Sequence, residues 1–120
     1  MLFSSVAIAN SASISIATIN NQVYTGQALS LGDTLTFSTI VPKLIGREYP
    51  MIAVICTQND TIVFTQLDQL NASFLLGGYS SPWLDTGGTA TCQADLDAYS
   101  HKGGNETVRI LSEVDFSVFG

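Results

Sequence analysis

The stretch TATCQADLDA, Thr89 to Ala98, decides how the chain folds. Ala90, Cys92, Ala94, Leu96 and Ala98 alternate with Thr89, Thr91, Gln93, Asp95 and Asp97. A helix would scatter these two sets around its circumference, whereas an extended strand places them on opposite faces. The segment therefore reads as a half-buried β-strand, with Asp95 and Asp97 on an exposed face.

The same period of two runs through most of the chain. Val108, Ile110, Ser112, Val114, Phe116 and Val118 alternate with Arg109, Glu113, Asp115 and Ser117, which predicts one long strand with the even positions turned inward. Leu35, Phe37, Thr39 and Val41 form a second such face, and Ala12, Ile14 and Ile16 a third. Met51 to Cys56 and Thr61 to Thr65 are joined by Gln58-Asn59-Asp60, which suits a hairpin. A shorter strand is expected near Ala72 to Leu76. Turn signals separate the strands, at Gly26, Gly32-Asp33, Pro42 to Pro50, Gly77-Gly78, Gly87-Gly88 and Gly103-Gly104-Asn105. No segment carries a convincing amphipathic helical period. The expected fold is all-β, an immunoglobulin-like antiparallel β-sandwich of about seven strands, with a small barrel as the alternative.

The chain has 120 residues, enough for one domain. An N-terminal arm is expected over residues 1–11 and the sandwich domain over 12–120. Only 12% of residues are charged and the mean hydropathy is +0.31, yet no stretch reaches the roughly 18 uninterrupted apolar residues of a membrane span. Ten acids outnumber four bases, Lys43, Arg47, Lys102 and Arg109, and a net charge of -6 repels phosphate backbones. Neither nucleic acid nor membrane is an expected partner. The opening MLFSSVAIANSAS has no Lys or Arg before its apolar run, so it is not read as a secretory signal. It reads as an arm whose Leu2, Phe3, Val6 and Ile8 lie against the domain or against a neighbour.

The chemistry-bearing residues are sparse. Cys56 and Cys92 each fall near the middle of a predicted strand. If those strands are neighbours in one sheet, a cross-strand disulfide would contribute roughly 4 kcal/mol through loop entropy. Two cysteines do not make a disulfide framework, and buried free thiols are the favoured reading. The Cys, Trp, Cys order of antibody domains fails in detail, because Trp83 lies in a loop near the second cysteine. His101 is the single histidine and sits in a turn without metal-ligand spacing. Asp95 and Asp97 share a strand face but lack a third carboxylate or a calcium loop. No Gly-x-Ser-x-Gly elbow surrounds any serine, so no catalytic residue, metal or cofactor is expected. Asn59, Asn71 and Asn105 match the short glycosylation pattern, which arises easily by chance in such a chain.

LGGYSSPWLDTGG, Leu76 to Gly88, holds the only tryptophan and four of the ten glycines. Three readings stay open. Trp83 and Leu84 tuck under the sandwich; Tyr79, Trp83 and Leu84 form a protein contact; or Tyr79 and Trp83 form a platform for a sugar ring.

GQALSLGDTLTFSTIV (residues 26–41), YPMIAVICTQNDTIVFTQ (49–66), FLLGGYSSPWLDTGGTATCQADLDAY (74–99) and KGGNETVRILSEVDFSVFG (102–120) together form a familiar texture. Over roughly residues 12 to 119 the chain resembles small immunoglobulin-like proteins of tailed bacteriophages, particularly those infecting actinobacteria. The resemblance implies a virion component without catalytic residues: a head decoration or minor capsid protein, or a domain on a tail part. The expected partners are the major capsid protein and sister copies, and the expected location is the head surface. The alternative is a module on the particle that binds cell-surface glycan. The candidate contacts are Leu2, Phe3, Val6 and Ile8 on the arm and Tyr79, Trp83 and Leu84 on the loop.

Overall fold

The computed structural model describes residues 11–102 and 104–120. The expected arm contacts Leu2, Phe3, Val6 and Ile8 lie outside the described residues. Among those described, nine strands and one short helix follow one another. They are β1 (Ser13–Ile19), β2 (Gln22–Val23), β3 (Leu29–Ser30), β4 (Thr34–Ile40), β5 (Tyr49–Gln58), β6 (Thr61–Asp68), β7 (Phe74–Leu75), α1 (Pro82–Thr86), β8 (Ala90–Lys102) and β9 (Asn105–Phe119). Six of the strands are long and three are two-residue bridges, so the expected count of about seven is exceeded by short pieces.

Two sheets pack face to face. One runs β2-β1-β4-β7 and the other β3-β9-β8-β5-β6. The order β1-β4-β7 against β9-β8-β5-β6 follows the A-B-E and G-F-C-C′ strands of an immunoglobulin-like sandwich. The pairing is antiparallel except at one place, where β3 runs parallel to the end of β9, Leu29 beside Val118.

Turn chemistry follows the residues. Asn59 and Asp60 both have positive φ, as a two-residue hairpin turn requires, and they join β5 to β6 where the sequence predicts a hairpin. Asn20 and Asn21 do the same between β1 and β2. The Asn20 side chain then donates to Asp33 and accepts from the Thr34 amide, which ties this turn to the start of β4.

The core lies between the sheets. Leu35, Ile52, Val54, Phe74, Leu96 and Val118 are fully buried, and each such side chain contributes about 1.5–3 kcal/mol relative to exposure. Ala90, Cys92, Ala94, Leu96 and Ala98 all face this core, as the alternation of β8 predicts.

In β9 the alternation breaks. Leu96 pairs with Ser112 but Asp97 pairs with Ile110, so Leu111 is an extra residue, a β-bulge. Past it the faces exchange. Val114 packs against the core, Phe116 rests on Phe37 with ring centroids 6.3 Å apart and Val118 is buried, all as expected. Val108 and Ile110, expected inward, are exposed on the outer face instead. One inserted residue changes the face of every side chain beyond it.

Candidate docking surfaces

The tryptophan loop is a capped turn of helix. Ser81 takes an extended conformation and its hydroxyl accepts from the Leu84 amide, Pro82 starts the helix, and Gly87 at φ 66° ends it by donating to the Trp83 carbonyl. A residue with a Cβ would strain that left-handed position, so the glycine is required there. Only turns were expected over this stretch, because five helical residues are too few to show a period.

Trp83 points inward. Its side chain is 0% exposed, belongs to the core, and donates from Nε1 to the Gly88 carbonyl at 2.8 Å. Of the three readings left open by the sequence, the ring follows the first, tucked under its own sandwich and securing its own loop, and it is not at the surface as a candidate contact. Tyr79 and Leu84 do face solvent, at 93% and 40% exposure. Beside them runs β6, the last strand of its sheet, whose outer edge has no partner strand among the described residues. A groove along Ile62 to Gln66 has Gly77, Gly78 and Ser80 on its other side, and a second depression lies between Tyr79 and Leu84.

The cysteines are joined. Cys56 and Cys92 form a disulfide across β5 and β8, which corrects the favoured reading of free thiols. The sequence placed both in strands; only the strand order makes them neighbours.

The carboxylates of β8 are a second correction. Asp95 and Asp97 are on the outer face, as expected, but both are buried, at 6% and 4% exposure. They lie on a central strand, flanked in register by Ala53 and Glu113 for Asp95 and by Met51 and Ile110 for Asp97. Gln93 donates to both Asp95 and Glu113, at 2.7 and 2.8 Å, which satisfies Asp95. Asp97 has no such donor, and its buried Oδ1 makes no hydrogen bond. Desolvation, followed by the charge of Asp95, pushes its carboxyl up to about 6. Tyr99, next along this face and stacked on Tyr49, is raised chiefly by desolvation as well.

At the open end of the sandwich Arg109 donates to both carboxylate oxygens of Glu48, at 2.7 and 3.1 Å. That pairing, with the Ile45 amide also donating to Glu48, holds its carboxyl down to about 2. His101 is exposed near the tip of the β8–β9 hairpin, beside a cleft with Arg47, Glu48 and Thr107. Among the described residues no group of three or more His, Cys, Asp or Glu side chains is placed to hold a metal ion, and no helix is long and apolar enough to cross a membrane.

No family model matches the chain, and neither a curated protein nor a solved structure matches it.

Proposed function

We propose that the chain is a non-enzymatic structural protein of a virion, a head decoration or minor capsid protein that binds the capsid lattice. The observation that carries this reading is Tyr79, 93% exposed on a turn anchored by the buried Trp83 and adjoining Leu84. An exposed aromatic side chain offers a partner a large area and has only two side-chain torsions to order on binding. The edge of β6 beside it, unpaired among the described residues, supplies backbone groups to which an extended segment of the major capsid protein or a sister copy adds as a strand. The resemblance to small bacteriophage proteins supplies the virion context.

The glycan-binding alternative needs a stacking platform. With Trp83 inside, Tyr79 is the single ring of the pair in solvent, which weighs against a platform for a sugar ring.

The test is imaging of purified particles, followed by binding of a Tyr79→Ser, Leu84→Ser double variant to particles lacking the protein. Regular copies on the head with this corner against a neighbour, and at least about tenfold weaker binding by the variant, are the expected results. Unchanged binding would remove the corner from the interface. Absence of the chain from every particle would overturn the virion reading.

A further inference from the structure

A second surface, separate from the Tyr79 corner, combines two chemistries. The outer face of β9-β8-β5-β6 carries exposed apolar side chains: Tyr49 on β5, Leu67 on β6, and Val108 and Ile110 on β9. The β9 bulge is what turns Val108 and Ile110 onto it. Four strands about 4.8 Å apart and ten residues long cover on the order of 600 Å² in plan. A stable protein interface takes about 800 Å² from each partner, so a partner of that kind would cover essentially the whole of this face.

Among these apolar side chains sit carboxylates, and no lysine or arginine of the described residues. Asp95 and Asp97 come from β8, with Glu113 and Asp115 beside them on β9. The register places no lysine or arginine of the described residues among them. Arg109, on the neighbouring strand, pairs with Ala98 on the opposite face of the sheet and is engaged by Glu48. His101 and Glu106 lie further out, toward the hairpin tip. Asp97 is the focus. It is 96% buried by its 4% exposure, its Oδ1 has no hydrogen-bond partner, and its cross-strand neighbours, Met51 and Ile110, have nothing to donate. A buried acceptor left unsatisfied costs about 1–3 kcal/mol, more when charged; Oδ1 is closed to solvent, so a donor from outside the chain would recover this by bonding the carboxylate once it turns outward between Met51 and Ile110.

We propose that this outer face docks a protein partner whose lysine or arginine seats between Met51 and Ile110 onto Asp97, ringed by apolar contacts. Charge complementarity selects that occupant. A second copy of the chain would bring the same carboxylates together without a cation, and like charges meeting at an interface cost several kcal/mol. A nucleic acid would be repelled. Desolvation by the partner strengthens the one pair that forms, which makes Asp97 the centre of the contact and the apolar ring its seal.

The probe is a pair of acetylated, amidated tripeptides, Leu-Arg-Val and its uncharged counterpart with citrulline for arginine, titrated into the isotope-labelled chain and followed by NMR. The expected result is a saturable movement of the Met51 and Ile110 methyl and Asp97 carboxyl signals with the arginine peptide. Binding of the citrulline peptide is about tenfold weaker, as loss of a charge-assisted hydrogen bond implies. Asp97→Asn abolishes the preference, and Ile110→Ser, at an exposed position, weakens both peptides. Equal affinities, shifts elsewhere, or no saturation would overturn the proposal. A dimer in sedimentation equilibrium that Ile110→Lys dissolves would also overturn it and assign the face to a second copy. None of these readouts depends on the virion reading, which stands or falls with particle imaging.

Discussion

Cys56 and Cys92 face each other directly across β5 and β8, with Cα atoms 4.0 Å apart, and their disulfide joins neighbouring strands of one sheet. An antibody domain places its disulfide between the two sheets instead. Here the inter-sheet core is held by side-chain packing, and the disulfide closes a loop between positions 36 residues apart. Cross-linking a loop of that length restricts the unfolded chain by about 4 kcal/mol. The Cys56→Ala, Cys92→Ala double variant is expected to keep its β-sheet circular dichroism, because the β5–β8 ladder pairs without the bond. Its stability in urea should fall by about 2–4 kcal/mol. A loss below about 0.5 kcal/mol would mean that the disulfide adds little to the strand pairing.

Trp83 is expected to behave as a core residue. Trp83→Ala should cost about 3–5 kcal/mol, the range for deleting a large buried aromatic. Trp83→Phe should cost less, since it keeps most of the apolar volume and loses the bond to Gly88. The native emission should lie at short wavelength and resist quenching by iodide. Emission at the wavelength of free tryptophan would place the ring in solvent and remove the anchor for Tyr79.

Asp97 makes the fold sensitive to pH in a defined direction. Its folded pKa of about 6 lies above the ordinary 3.8, so its contribution is most favourable below about pH 3.8 and is lost as pH rises through about 6. Asp97→Asn removes the ionisation. The variant should gain on the order of 1 kcal/mol relative to wild type at pH 7, after discounting for solvent screening, and the gain should vanish near pH 4. Thermal unfolding at the two pH values measures this, and a pH-independent difference would contradict the assignment.

Glu48 works in the opposite sense. Its carboxyl is held at about 2 against an ordinary 4.5, so the stabilisation is present above pH 4.5 and is lost as pH falls through about 2. Glu48→Gln should therefore be slightly less stable than wild type at neutral pH and equal to it near pH 2, which flattens the acid limb between those values. Arg109 is 45% exposed at its side chain, which keeps the effect small. An unaltered acid limb would show that the pair is not maintained in solution.

The sequence by itself determined the strands and much of the core. A period of two needs only local information, so Ala90 to Ala98, Leu35 and Phe37, and the Asn59-Asp60 hairpin were all legible without the fold. The short helix Pro82–Thr86 was not legible, since one helical turn has no period to reveal it. What only the tertiary structure decided depends on partners distant in the chain. The bond between Cys56 and Cys92 required β5 to lie beside β8, and the burial of Asp97 required Met51 and Ile110 to arrive from two other strands. The bulge at Leu111 exchanged the two faces of β9; apolar Leu111 in the odd phase beside polar Ser112 in the even phase is its only trace in the strand, and the register with β8 is what decided it. Trp83 turned inward because the Gly88 carbonyl and the core offered its ring both a hydrogen bond and an apolar site. Periodicity gives a strand its two faces, but which face meets water is set by what packs against it.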